Sequence, residues 1–348
     1  MKFGKNFVFD AMPNLKLSAD EHRVIHTSVR PPFRLTPHWA SLLNGRVDDP
    51  LRIQAVPTST EGMAQPDDRA DPLGEKEHMP LPRLVHRYAD RALVVMTGKC
   101  ALYCRHCFRR RLTGDDYGDI AQDEMAAIAK WIAARPSVQE LILSGGDPCT
   151  LEEKVLLGHI DTLRAARPDI VLRLATRIPV VDPKRITSAL ARGLGRRLAI
   201  WIVIQTNHPR EISPEFLTAV KRLQRQGLPI LNQSVLLKGV NDQVEILVEL
   251  SRQLVRARVK PYYLFQGDLA EGSGKFRLPL SQARHLVEEL RKRVSGLAMP
   301  LFAVDLPGGG GKVPLGFDYV GDLTQRGWRL TTPNGNQGYY PDPRPQGD

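Results

Sequence analysis

Three of the four cysteines in this 348-residue chain, Cys100, Cys104 and Cys107, fall within eight positions in the run KCALYCRHCFRRR. Thiolates are soft ligands suited to iron, and a four-iron cluster ordinarily takes four of them. Three leave one iron open. S-adenosylmethionine can chelate that iron through its amino and carboxylate groups, and an electron from the cluster can then break a carbon–sulfur bond to give a 5′-deoxyadenosyl radical. The competing reading is a zinc site of three cysteines closed by His106. Against it, the adjacent His106 and Cys107 do not easily face one small ion, and structural zinc tends to come as two CxxC-like pairs. The remaining cysteine, Cys149, reads as a small residue in a loop.

Two other stretches carry chemistry. Ser144, Gly145, Gly146, Asp147 and Pro148 follow a predicted strand, and glycines there let backbone groups approach a ligand closely, as the methionyl amino group of S-adenosylmethionine would require. One strand–helix unit after the triplet, this SGGDP resembles the second signature of the radical S-adenosylmethionine superfamily. Further on stands DLPGGGGK, Asp305 to Lys312. It is not a phosphate-binding P-loop, which needs GxxxxGK followed by Ser or Thr: Val313 follows Lys312, and Leu306 stands where the first glycine belongs. A glycine run ending in one lysine suits an amine that forms and later releases a Schiff base with an aldehyde cofactor. A surface lysine after a loop is the plainer alternative on spacing alone.

The elements that must position these residues repeat from Arg91 onward as short apolar, β-branched runs, each followed by a loop and a stretch of helical period. Six strands are expected: Ala92 to Thr97, Glu140 to Ser144, Ile170 to Ala175, Leu198 to Ile204, Pro229 to Val235 and Pro261 to Phe265. Between them, Asp123 to Ala134 places Met125, Ile128, Ala129 and Ile132 on one helical face. Another helix starts at Ser213, with a cap and a first-turn proline, and stops at Gly227. This alternation implies an α/β fold with a parallel sheet, either a partial barrel or an open doubly wound sheet. The triplet follows the first strand, where a barrel keeps its active-site loops. Residues 1–85 read as a helical appendage and linker, with helix-like pieces at 18–28 and 36–45. Residues 86–312 are expected to form the catalytic α/β domain, and 313–348 read as short hairpins or an extended tail.

Bulk properties fit an enzyme. A chain with 42% apolar residues can bury a sizeable core. The formal charge of +11 could mean a nucleic-acid partner, but Lys and Arg are dispersed among acids, and a solvated surface with sites for anionic cofactors explains it equally well. The longest apolar run, Leu198 to Ile204, is far short of the roughly 20 residues that span a bilayer. The amino-terminal run MKFGKNFVFDAMPNL lacks the apolar stretch of a secretory signal. A cytoplasmic protein is expected.

Taken together, HRYADR, CALYCRHCFRRR, SGGDP, RIPVVDPKRIT, TNHPREIS, NQSVLLKGVND, PYYLFQGDL, KFRLP and VDLPGGGGK resemble the lysine 2,3-aminomutase family from about Thr36 to Lys312. The resemblance implies a partial (β/α)6 TIM-like radical S-adenosylmethionine barrel that uses a [4Fe-4S] cluster, S-adenosylmethionine and pyridoxal 5′-phosphate. It implies interconversion of L-α-lysine and β-lysine by radical 1,2-amino migration. Lys312 would be the Schiff-base lysine, and Arg87, Arg91 and Gln233 would hold the pyridoxal phosphate group. Ser144, Gly145, Gly146 and Asp147 would serve S-adenosylmethionine. Arg109 would grip the substrate carboxylate, while Asp268 and Asp305 would receive the side-chain ammonium, a pairing that selects lysine over glutamate but would also accept arginine's guanidinium. The electron would come from a donor such as flavodoxin or ferredoxin, and a homo-oligomer is compatible. The chain departs from the family pattern at Gln243, where a cysteine is expected, at Gln205, where relatives carry histidine, and in lacking a cysteine-rich carboxyl end. The short carboxyl end is similar to related enzymes that make (R)-β-lysine for elongation factor P, whereas the intact VDLPGGGGK favours the free amino acid. A radical enzyme modifying RNA or protein would fit the charge and the triplet, but would have no use for Lys312 or the two acids.

Overall fold

The computed structural model describes residues 15–27, 31–63, 65–114, 117–316 and 318–341. Nearly all of the amino-terminal run considered as a signal, and positions 342–348 of the tail, lie outside the described residues. Strand β1 (Leu84–Tyr88) is antiparallel to β2 (Arg91–Thr97). There follow β3 (Glu140–Gly145), β4 (Val171–Thr176), β5 (Ile200–Ile204), β6 (Ile230–Val235), β7 (Lys260–Phe265) and β8 (Leu301–Leu306), each parallel to its predecessor. β9 (Gly311–Pro314) turns back antiparallel to β8.

All six expected strands are present, and β8 adds a seventh parallel one. It escaped the pattern because a glycine turn and a returning strand follow it, where the earlier units have a helix. The fourth expected strand begins two residues late, at Ile200, because Ala199 takes a positive φ of 52° and leaves Leu198 exposed. Such a backbone is costly for a residue with a Cβ and ends regular pairing there.

The appendage supplies α1 (Ala19–Ile25), α2 (Pro37–Ser41) and α3 (Pro50–Ala55). The first two are shorter than the windows that predicted them. The third, capped by Asp49 with Pro50 at its first position, is too brief to show a period in sequence. Between the strands lie α4 (Gln122–Ala133), α5 (Glu153–Ala166), α6 (Ile178–Val181), α7 (Ser188–Gly195), α8 (Pro214–Gln224), α9 (Val244–Arg256) and α10 (Leu280–Arg293). The face expected on α4 is the one it buries: Met125, Ile128, Ala129 and Ile132. Ser213 caps α8 by accepting from the Phe216 amide, and Gly227 at φ 75° follows its end. At the carboxyl end β10 (Val320–Thr324), β11 (Gly327–Thr331) and β12 (Gln337–Tyr340) form an antiparallel meander.

Strand alternation divides core from site. Leu141, Leu143, Leu172, Leu174, Ile200 and Ile202 face the helices and are buried. Their neighbours Ile142, Ser144, Arg173, Ala175, Val203, Gln233 and Tyr263 line one interior cavity of about 480 Å³. The sheet runs from β1 to β9 in sequence order, and among the described residues these two edges do not pair, so the barrel is partial. A strap at residues 69–78 bridges the gap: Arg87 donates to the Leu73 carbonyl at 3.4 Å, and the Gly308 amide to the Pro72 carbonyl at 2.9 Å. The strap also exchanges backbone hydrogen bonds with the loop after β7, through Arg69 with Leu269 and Glu271.

Candidate active site

Every residue that sequence reasoning assigned to the site lines this cavity: Cys100, Cys104, Cys107, Ser144, Gly145, Gly146, Asp147, Arg87, Arg91, Gln233, Arg109, Asp268, Asp305 and Lys312. The cysteines follow the carboxyl end of β2. Burial, then the charges of Asp147, Cys107 and Cys104, holds the Cys100 thiol well above its ordinary value. Burial and Cys104 push Cys107 up to about 11. Half-buried thiols lining one cavity, close enough to oppose each other's ionisation, fit an iron cluster that supplies the missing positive charge. His106, the fourth ligand a zinc site would need, turns Nε2 to Gln205 at 3.2 Å and Asn207 at 3.4 Å. Burial, helped by Arg177 and Arg110, holds its pKa well below the usual value, which keeps the ring neutral.

The two glycines of SGGDP line the cavity and also pack directly on protein backbone. A Cβ on Gly146 would lie 2.3 Å from the Lys99 carbonyl oxygen, and one on Gly145, at φ 121°, would lie 2.5 Å from that of Thr97. They let the end of β3 pack on the loop that presents Cys100. Asp147 is likewise turned inward: its carboxylate accepts from the Thr176 hydroxyl at 2.7 Å, the Arg177 amide at 2.7 Å and the Cys149 amide at 3.0 Å. Burial nevertheless pushes it up to about 6. Its hydrogen bonds tie the loop after β3 to the end of β4.

Strands β8 and β9 place Asp305 directly opposite Lys312. Lys312 Nζ donates to Asp305 Oδ2 at 2.6 Å and lies 4.0 Å from the Phe265 ring centroid. Arg87 donates to Asp305 Oδ1 at 3.1 Å and to the Tyr88 hydroxyl at 2.8 Å, while Arg91 stacks on the Tyr88 ring at 3.8 Å. The glycine run is thus a tight hairpin turn, with Gly308 at φ 67°, Gly309 at 83° and Gly311 at 97°, and the lysine sits on a strand beyond it. Burial, then Asp305, pushes Asp268 up to about 7. An amine, two neighbouring carboxylates, two arginines and Gln233 around one chamber fit pyridoxal phosphate, which Lys312 would hold by its aldehyde and the cations by its phosphate.

Two residues of this chamber were missed in sequence. Glu75, on the strap, pairs with Arg109 at 2.8 Å, and Arg109 also donates to the Ser144 hydroxyl at 3.1 Å. Arg177 donates to the sulfur of Cys104 at 2.8 Å. Glu75 lies in a polar stretch without period, and no local signal marks it. Arg177 stood in RIPVVDPKRIT, but only the packing of β4 against the triplet reveals its partner.

A partial barrel with three cysteines after its first parallel strand and a glycine pair after the next is the architecture of radical S-adenosylmethionine enzymes, and residues 94–250 match the model of the Radical SAM superfamily. Residues 287–346 match a second model, Lysine-2,3-aminomutase. The L-lysine 2,3-aminomutase of Fusobacterium nucleatum is 41% identical over 315 residues, 90% of this chain and 74% of that protein. Its namesake in Bacillus subtilis is 39% identical over 310 residues, 88% of this chain and 65% of that one, and in Acetoanaerobium sticklandii 41% over 287 residues, 82% and 69%. The chain belongs to the lysine 2,3-aminomutase family. Among the described residues no helix is long and apolar enough to cross a membrane.

Proposed function

We propose that this chain interconverts L-lysine and β-lysine by radical 1,2-amino migration. The observation that carries the reading is one cavity lined both by the cysteine triplet and by Lys312, Asp268 and Asp305. Bound there, the cluster and S-adenosylmethionine supply a carbon radical, and pyridoxal phosphate supplies a conjugated system that spreads an unpaired electron.

The chain's own residues do the rest. Cys100, Cys104 and Cys107 hold the cluster. Lys312 anchors the pyridoxal aldehyde, and Arg87, Arg91 and Gln233 would face its phosphate. Asp305 balances the Lys312 cation, and with Asp268 it is the natural receiver of the substrate's distal ammonium once that lysine is engaged. Arg109, steadied by Glu75, is within the same chamber to pair with the α-carboxylate. The strap ties the two edges of the open seam together beside the chamber, through Arg87 to Leu73 and Gly308 to Pro72. An external low-potential donor such as flavodoxin or ferredoxin would supply the electron.

The test is anaerobic incubation of reconstituted protein with L-lysine, S-adenosylmethionine, pyridoxal phosphate and reductant. β-Lysine should form, and an unchanged lysine pool overturns the reading. Lys312→Ala should abolish the absorption of protein-bound pyridoxal while leaving the cluster absorption in place.

A further inference from the structure

The roles above leave Arg177 unused, although it is 7% exposed and its guanidinium touches a cluster cysteine. It stands just past β4, with Nη1 2.8 Å from Cys104 Sγ and Nη2 2.7 Å from Gln54 Oε1 and 3.0 Å from Glu211 Oε2. Gln54 in turn donates to Glu211 at 2.9 Å and accepts from Asn207 at 2.9 Å. The guanidinium also lies 4.9 Å from the centroid of the Trp39 ring. Trp39 and Gln54 belong to α2 and α3, so the appendage helps to aim this cation at the sulfur. Burial works against its charge, but Cys104 and Glu211 hold its pKa above the ordinary arginine range.

We propose that Arg177 is a positioning residue that sets the reduction potential of the cluster, acting through the Cys104 sulfur and held in place by Gln54. Reduction adds one electron from an external donor and makes or breaks no bond at the sulfur. It increases negative charge on the cluster, so an N–H donated to a ligand sulfur and a nearby cation both favour the reduced form. Exclusion of water magnifies both effects. The pair with Glu211 keeps the cation in one place and offsets part of its charge. The inference rests on the cluster-binding reading of the triplet and extends it to the appendage.

The experiment is an EPR-monitored redox titration with dithionite of the full-length protein, carrying a reconstituted cluster and no S-adenosylmethionine. In Arg177→Gln the ratio of reduced to oxidised cluster at a fixed potential should fall about tenfold, a shift of about 59 mV to more negative potential for a one-electron couple. Arg177→Lys, which keeps the charge but not the fork, should shift less. Gln54→Ala leaves the Arg177–Glu211 pair in place and should shift the potential in the same direction with iron and sulfide content unchanged; it decides the matter if Arg177→Gln does not fold. Potentials equal to wild type in Gln54→Ala and in any foldable Arg177 variant, at full iron content, overturn the proposal. Wild-type protein that binds no cluster would instead overturn the reading of the triplet beneath it.

Discussion

Asp268 gives the chamber a pH dependence of predictable sign. With its pKa pushed up to about 7 by burial and then by Asp305, it is protonated in mildly acidic solution and cannot pair with an ammonium group. The kcat/KM for lysine should therefore rise as pH increases through about 7. Replacing Asp305 by Asn removes the charge that helps raise Asp268, so the same limb should move to lower pH even though overall activity falls. A pH profile of the variant checks this, and a limb that stays in place would show that burial alone sets it. Asp305 is also the counter-ion of Lys312 and Arg87, so the Asn variant should bind pyridoxal phosphate more weakly, read by titrating its absorption.

The turn after β3 is shaped by contact with the cluster loop. Gly146→Ala would put a Cβ 2.3 Å from the Lys99 carbonyl, a clash with backbone that no side-chain rotation relieves. The expected outcome is protein with native circular dichroism but sharply reduced iron content after reconstitution. Full iron loading would mean that the β3 turn can retreat without moving Cys100. The β8–β9 turn is constrained in a similar way. Gly309 has φ 83°, and its Cβ would meet the His78 ring at 2.6 Å, so Gly309→Ala should loosen the strap and lower Tm. It should also weaken pyridoxal binding, because Lys312 follows that turn.

For the molecule as a whole, the appendage and the barrel are joined through buried charge. Glu61 of the appendage pairs with Arg105 at 2.7 Å, Arg110 at 3.0 Å and Lys275 at 3.5 Å, and Arg105 is fully buried. Removing the acid leaves that charge unmatched, so Glu61→Leu should cost about 3–5 kcal/mol by chemical denaturation. Burial alone would raise the Glu61 pKa, but the three cations outweigh it and hold it below the ordinary 4.5. A depressed folded-state pKa means that the stabilisation is complete above about pH 4.5 and is lost as pH falls through the lower folded value. Acid unfolding of wild type should therefore begin below that point, and Glu61→Leu should lose this part of the acid transition.

The residue types determined the chemistry, because three closely spaced cysteines, a glycine-preceded lysine and two acids keep their meaning in any chain that brings them together. Six of the strands were legible for a similar reason: each is a local run whose apolar spacing and following helix repeat. Partnership was not legible. That Glu75 steadies Arg109, that Arg177 points at Cys104, that Asp147 turns inward, and that a polar stretch becomes a strap across the open barrel all depend on segments far apart in sequence meeting edge to edge. β8 shows the boundary between the two, since its local pattern is that of a strand but its place beside β7 and its hairpin with the lysine strand exist only in the folded sheet. Local periodicity carries no information about such contacts, which are fixed by how the helices, the sheet and the appendage pack around one shared cavity.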